Sequence, residues 1–202
     1  MKKLQSSLRN MLLVLTGICV IATGILAYVN QLTTGPIAQA KSAALKTAIA
    51  QVVSGFDNNP ANDVETVTLT LEGKELTFKV YPATKNEQFI GAAVESVTLG
   101  FGGDLKVLVG FDPEGNILNY SILETSETPG LGSRAATWFQ EGQKGSVIGL
   151  SPKEKALTVS KDGGEVQAIT ASTITSRAFL KAVNQAYMAY AKQETSQTTT
   201  QK

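Results

Sequence analysis

From Met11 to Val29 the chain reads MLLVLTGICVIATGILAYV, nineteen residues without a charge. At about 1.5 Å of rise per residue, a helix of this length just crosses a hydrocarbon core of ~30 Å. The run is therefore expected to be one transmembrane helix over residues 11–29, with residues 1–10 as an arm on one side and everything after it on the other. Lys2, Lys3 and Arg9 stand in the short arm, and the positive-inside bias keeps such an arm in the cytoplasm. The body is expected outside the inner (cytoplasmic) membrane, as the extracytoplasmic or periplasmic part of a single-pass protein. A cleaved signal peptide would share the basic start and the apolar run. Small residues at Ala22, Gly24 and Ala27 do not form a clear A-x-A cleavage site. Ile18 before Cys19 is branched, whereas lipid attachment at a cysteine needs a small side chain there.

The chain has no histidine, and its single cysteine, Cys19, lies inside the apolar run. Composition thus excludes Cys/His zinc sites, Ser-His-Asp and Cys-His catalysis, His-ligated haem, Cys-ligated iron–sulfur clusters and an intrachain disulfide. No metal site is expected. Chemistry falls to hydroxyls, carboxylates, the backbone or an organic cofactor. Beyond the apolar run 15 basic residues face 17 acidic ones, a net of −2 without a basic cluster. Phosphate contacts dominate nucleic-acid affinity, so no nucleic-acid partner is expected.

Residues 30–56 read as a juxtamembrane helix. Pro36 suits a first turn, Gly55 a stop, and Ile37, Leu45, Ile49, Val52 and Val53 fall near one face. Alternation then takes over. Val67, Leu69 and Leu71, the turn Glu72-Gly73-Lys74, and Leu76, Phe78 and Val80 form a hairpin pattern. Leu105–Phe111 and Ile117–Leu123 form a second pair around Asp112-Pro113-Glu114-Gly115-Asn116, with Phe89–Val97 beside them. Lys161-Asp162-Gly163-Gly164 predicts a turn before a short strand over Glu165–Ile169. Arg177–Ala191 predicts a closing helix whose buried stripe is Phe179, Val183, Ala186, Tyr187 and Tyr190. Residues 192–202 are polar and are expected to be disordered. The fold class is α+β, a mostly antiparallel sheet with flanking helices and one N-terminal transmembrane helix. Residues 57–191 form its extracytoplasmic domain.

Two segments can carry chemistry. Glu124-Thr125-Ser126-Glu127-Thr128-Pro129-Gly130-Leu131-Gly132 follows a predicted strand. Pro129 stiffens it, while Gly130 and Gly132 let a flat ligand approach the backbone. The short match Gly130-x-Gly132-x-x-Ala135 to a dinucleotide fingerprint lacks the βαβ context that gives such matches meaning. An ordinary surface turn is the simple alternative. The second segment, Thr170-Ala171-Ser172-Thr173-Ile174-Thr175-Ser176, lies between a predicted strand and the last helix. Its hydroxyls can cap that helix, or the helix start can receive a phosphate.

These residues, in this order, resemble the G subunit of the Rnf electron-transport complex and, more distantly, the C subunit of the sodium-pumping NADH:quinone reductase. The likeness rests on the N-terminal span, Gly100-Phe101-Gly102-Gly103 before the strand to Phe111, Glu127-Thr128-Pro129-Gly130-Leu131-Gly132, Lys161-Asp162-Gly163-Gly164 and the hydroxyl cluster. The family pattern is Ser or Thr, Gly, Ala, Thr, and its final threonine carries FMN through a phosphoester. That residue corresponds to Thr173. Ala171 stands in the glycine position, Ser172 in the alanine position, and Gln167 where an aspartate often precedes the pattern.

The resemblance implies a membrane-anchored electron relay with FMN covalently on Thr173, installed by a flavin transferase that uses FAD. It would work with the other membrane subunits of an Rnf-type, ion-translocating ferredoxin:NAD oxidoreductase complex. The flavin ring is then expected near Glu127, Thr128, Gly130, Leu131 and Gly132, with Phe101 beside it. Thr170, Thr175 and Ser176 would serve the phosphate. A membrane-anchored binding or scaffold domain without flavin, and a stand-alone flavin reductase domain, are the competing readings.

Overall fold

A computed structural model describes residues 7–200, with side chains described through Gln193. Residues 1–6 of the expected cytoplasmic arm and 201–202 of the expected tail lie outside the described residues. The chain runs through α1 (Leu8–Val52), β1 (Glu65–Leu71), β2 (Lys74–Lys85), β3 (Gln88–Leu99), β4 (Asp104–Phe111), β5 (Ile117–Thr125), α2 (Ala135–Trp138) and α3 (Thr173–Thr200). Short 3-10 turns occupy Gly132–Arg134 and Ser160–Asp162.

α1 is one helix long and apolar enough to cross a membrane. The missing N–H of Pro36 suggests a separate helix starting there, yet α1 continues through that residue. The hydroxyl of Thr33 donates to the carbonyls of Val29 (2.9 Å) and Asn30 (3.2 Å), and that of Thr34 donates to Asn30 (2.6 Å). These are local bonds onto the preceding turn; the carbonyl that Pro36 leaves without its helical N–H is that of Leu32. Ile37, expected on the packing face, is exposed.

Residues 44–200 hold a five-stranded antiparallel sheet in the order β1-β2-β3-β4-β5. Every neighbour in the sheet is also a neighbour in sequence, so turn chemistry sets the topology. Glu72 (φ 53°) and Gly73 (φ 75°) close the first hairpin in left-handed conformations, which match the twist of the strands. Asp112 closes the β4–β5 connection: its carbonyl accepts from Gly115 N–H (3.0 Å) and its carboxylate from Asn116 N–H (2.8 Å).

Alternation along β4 sorts its side chains onto two faces. Val107 and Val109 join α3, with Phe179, Val183, Ala186 and Tyr190, in the larger core. Leu108 joins Ala48, Ile49, Val52 and Val53 from the end of α1 in the smaller one. Between them Gly110 has no side chain because a Cβ there would collide with the Val52 carbonyl. The sheet is therefore covered by helix on both faces within this unit.

Phe179 anchors α3. It stacks on Phe139 at 4.2 Å and meets Tyr120 edge-on at 4.7 Å. The Tyr120 hydroxyl donates to Ala135 O at 2.6 Å, and burial pushes its pKa far above the usual phenol value, so it remains a neutral donor. Thr98 on β3 donates to Ala178 O at 2.9 Å, fixing the first turns of α3 against the sheet.

Two further segments depart from expectation. Glu165–Ile169 is no strand; a single bridge joins Val159 to Val166. Val166 and Ile169 are both buried, three residues apart, while Gln167 between them is exposed, a spacing unlike strand alternation. The closing helix begins four residues before Arg177 and extends to Thr200, across most of the segment expected to be disordered. Its early tail is tied to β1: Lys192 donates to Thr68 O and the Gln193 amide to the Glu65 carboxylate, each at 2.8 Å.

Candidate functional site

One end of the sheet carries two loops that interlock through glycine. β3 turns into β4 over Gly100–Gly103, closed by Gly100 N–H to Gly103 O at 2.8 Å. The segment after β5 brings Glu127 beneath that turn, where its carboxylate accepts from Phe101 N–H at 2.7 Å. A Cβ on Gly100 would strike one oxygen of this carboxylate and a Cβ on Gly132 the other; on Gly102 it would strike the Ser126 carbonyl. Glu127 is 7% exposed. It acts as the pin of this wall, with glycine leaving room for it on both sides. Gly130 (φ 77°) makes the turn in which Leu131 and Ser133 N–H reach Thr128 O at 3.1 and 3.2 Å.

The opposite wall is the start of α3. Ser172 N–H closes a turn onto Ile169 O at 3.0 Å, with Ala171 between them at φ 62°. This left-handed conformation is comfortable for glycine and strained for alanine. Ser176 N–H makes the first intrahelical bond, onto Ser172 O at 3.0 Å. The N–H groups of Thr173, Ile174 and Thr175 therefore sit in the first turn, where no helical carbonyl serves them. Thr173 is half-buried. Its hydroxyl oxygen lies 3.4 Å from Lys161 Nζ, across from the 3-10 turn at Ser160–Asp162. Asp162 of the same turn grips Arg177 with two bonds of 2.7 Å. That contact lowers the Asp162 pKa and raises that of Arg177.

Between the walls is a cavity of about 390 Å³, a size that suits a small organic ligand. Phe101, Glu127, Thr128, Leu131, Gly132, Thr173 and Thr175 all line it, so the two candidate segments and the glycine turn do converge. Three of the expected residues do not line it. Gly130 shapes the loop from outside. Thr170 is exposed one turn away. Ser176 is fully buried, its hydroxyl accepting from Ile169 N–H and donating to Ser172 O, each at 2.9 Å, so in this structure it braces the turn. Ala171, Ser172 and Ile174 also line the cavity, although the sequence does not single them out as contacts. Ile174 is 53% exposed, beside Phe101 at 69% and Leu131 at 43%. These three apolar side chains rim the hollow, which the buried Glu127, Ser172 and Thr175 also line. Periodicity hides Ile174, because on an isolated helix it reads as a solvent-side residue.

A second hollow of about 340 Å³ lies between the β1–β2 turn and α3. Its charged groups pair with one another, Lys181 with Glu72 and Arg177 with Asp162, and Asn184 holds the backbone of Leu157. With both cations already paired, it is the weaker candidate.

Similarity to known proteins covers both walls of the first cavity. The FMN-binding domain family matches residues 100–188, and the RnfG N-terminal region matches residues 1–52. The G subunit of the ion-translocating oxidoreductase complex of Yersinia pestis is 36% identical over 172 residues, covering 82% of this chain and 81% of its own. This chain belongs to the RnfG family. Another RnfG relative, the G subunit of the Na(+)-translocating ferredoxin:NAD(+) oxidoreductase complex of Acetobacterium woodii, is 33% identical over 188 residues, covering 88% of this chain and 89% of its own. Among solved structures, NqrC of Shewanella oneidensis shares the fold with a TM-score of 0.53 at 15% identity, over 74% of this chain and 93% of its own.

Proposed function

We propose that this chain is the FMN-carrying, membrane-anchored electron relay of an Rnf-type ion-translocating oxidoreductase complex, with FMN joined through its phosphate to Thr173. The observation that carries the reading is the convergence of a half-buried threonine hydroxyl, the start of a long helix and an apolar rim on one cavity inside the FMN-binding match. Residues 1–10 then lie in the cytoplasm, 11–29 span the inner membrane, and 57–191 stand outside it, as Lys2, Lys3 and Arg9 favour.

The residues present fit the group. First-turn N–H groups of α3 and its positive dipole end would receive the phosphate. Phe101, Leu131 and Ile174 would shelter the ring from water, and Glu127 would keep the glycine wall in shape around it. When bound, FMN supplies the electron transfer, and the protein contributes placement and surroundings. A covalent link suits a carrier outside the cytoplasm because dissociation is removed from the problem. The other complex subunits are its electron partners, and a flavin transferase is its partner in maturation.

Attachment forms a bond from Thr173 Oγ1 to phosphorus and breaks the bond by which FAD holds AMP. AMP leaves with the bonding electrons, the hydroxyl proton passes to solvent, and nothing is oxidised or reduced. Protein made with its transferase and partner subunits should fluoresce in a denaturing gel and gain the mass of one FMN less one water on the peptide containing Thr173. Thr173→Ala should abolish both signals. A colourless chain with Thr173 unmodified under those conditions would overturn the reading in favour of a flavin-free binding domain.

A further inference from the structure

We propose that Lys161 is the cationic partner of the phosphate at Thr173, reaching it from outside the hydroxyl segment. The inference rests on the reading of Thr173 as the attachment point and adds a residue that neither the glycine wall nor α3 contains.

Three observations support it. First, Lys161 Nζ stands 3.4 Å from Thr173 Oγ1, the oxygen that becomes the bridge of the ester. Any phosphate built on that oxygen places its other oxygens around the same point, within the sweep of a flexible four-carbon stem. Second, Lys161 forms no ion pair among the described residues, whereas its neighbour Asp162 spends both carboxylate oxygens on Arg177. The carboxylate next to it in the chain is thus occupied by another cation. An ammonium without a counter-ion beside a hydroxyl is half of an anion site, because lysine binds phosphate as a point charge. Third, the backbone that carries Lys161 is constrained. Ser160 N–H bonds to Val166 O at 2.8 Å, Gly164 N–H to Val159 O at 3.1 Å, and Gly163 turns at φ 81°. A Cβ on Gly164 would collide with Thr158. The 3-10 turn is therefore fixed from both ends, and the Asp162–Arg177 contact ties it directly to the first turns of α3.

During attachment, charge accumulates on the phosphate oxygens as Thr173 Oγ1 bonds to phosphorus. Lys161 is placed to offset that charge then and to pair with the single negative charge of the finished diester. A cation acting through a charged hydrogen bond should change the rate by about ten-fold or more.

The test uses the full chain, purified transferase and FAD, and follows FMN incorporation by intact mass. Lys161→Ala should incorporate at least about ten-fold more slowly than wild type, with an unchanged melting temperature because Lys161 is exposed. Lys161→Arg, which keeps the charge, should recover most of the rate. In parallel, amine-reactive labelling should modify Lys161 less in the flavinylated protein than in Thr173→Ala. A purely structural role would not produce that protection. Incorporation into Lys161→Ala within about three-fold of wild type, or equal labelling of Lys161 in both proteins, overturns the assignment while leaving FMN on Thr173 intact. A wild-type chain never modified at Thr173 sinks both.

Discussion

The two walls of the cavity are built by opposite means. The glycine wall is defined by missing side chains: at Gly100, Gly102 and Gly132 a Cβ would meet Glu127 or Ser126, so the backbone itself is the surface. The hydroxyl wall is defined by side chains present, with Thr173, Thr175 and Lys161 at or beside the hollow. Glu127 is sealed in with its acceptor used by Phe101 N–H, whereas Thr173 is half-buried and borders a cation that has no counter-ion among the described residues. One wall gives shape and the other, on the proposed reading, would give chemistry. Mutations should therefore separate stability from flavin loading.

The largest expected contrast is between Gly102→Ala and Thr173→Ala. In the former a methyl group meets the Ser126 backbone, which cannot rotate away as a side-chain tip could, and overpacking of this kind costs about 1–3 kcal/mol. For a domain of this size the melting temperature should fall by roughly 2–4 °C for each kcal/mol. Thr173→Ala should lose all covalent flavin yet stay within about 0.5 kcal/mol of the stability of unloaded wild type. Thermal melts of the unloaded proteins check this. Equal destabilisation by the two substitutions would end the division of labour between the walls.

How far the sequence reveals these walls depends on whether a residue's role is local. Period-two alternation and the Glu72-Gly73 turn reveal the first hairpin, and three- and four-residue steps reveal the buried stripe of α3, because each of these is decided within a few residues. The glycine wall is half legible: GFGG and ETPGLG announce close backbone approach, but nothing in either string says that Glu127 of one pins Phe101 of the other. Ser176 looks like a phosphate ligand until Ile169 and Ser172 are seen to consume its hydroxyl. Lys161 lies twelve residues from Thr173, brought there by a turn and a single bridge instead of the strand expected at Glu165–Ile169. Gly163-Gly164 followed by mixed apolar residues imitates a hairpin, which is why that segment reads as a strand. It instead buries Val166 and Ile169 separately.

A smaller effect sharpens the chemistry wall. Ala171 occupies the position where the Rnf pattern has glycine, and its φ of 62° shows what glycine would relieve. A left-handed residue with a Cβ is disfavoured by about 1–2 kcal/mol, while glycine costs roughly 0.5–1 kcal/mol in unfolded-chain entropy. Ala171→Gly should thus stabilise the chain slightly, by about 0.5 kcal/mol and a degree or two in melting temperature. It should also leave flavin incorporation undiminished. A fall in melting temperature would show that the alanine methyl makes a contact worth more than its strain.

The smallest effect concerns the turn that presents Lys161. Arg177 holds the Asp162 carboxyl below its ordinary range, chiefly through the paired hydrogen bonds. A group whose pKa is lowered on folding stabilises the folded state above its unfolded value, about 3.9 for aspartate, and loses that contribution as pH falls through the lower folded value. Both partners are exposed, so screening keeps the contribution small. Urea midpoints of wild type and Asp162→Asn should therefore differ slightly and constantly between about pH 5 and 7, and the gap should close below about pH 4. Added salt should narrow it at neutral pH as well. A gap that persists in acid would mean that Asp162 holds the turn by its shape and neutral hydrogen bonds. Lys161 would then be positioned independently of the charge on its neighbour, and the two walls would differ in side chains but not in their dependence on pH.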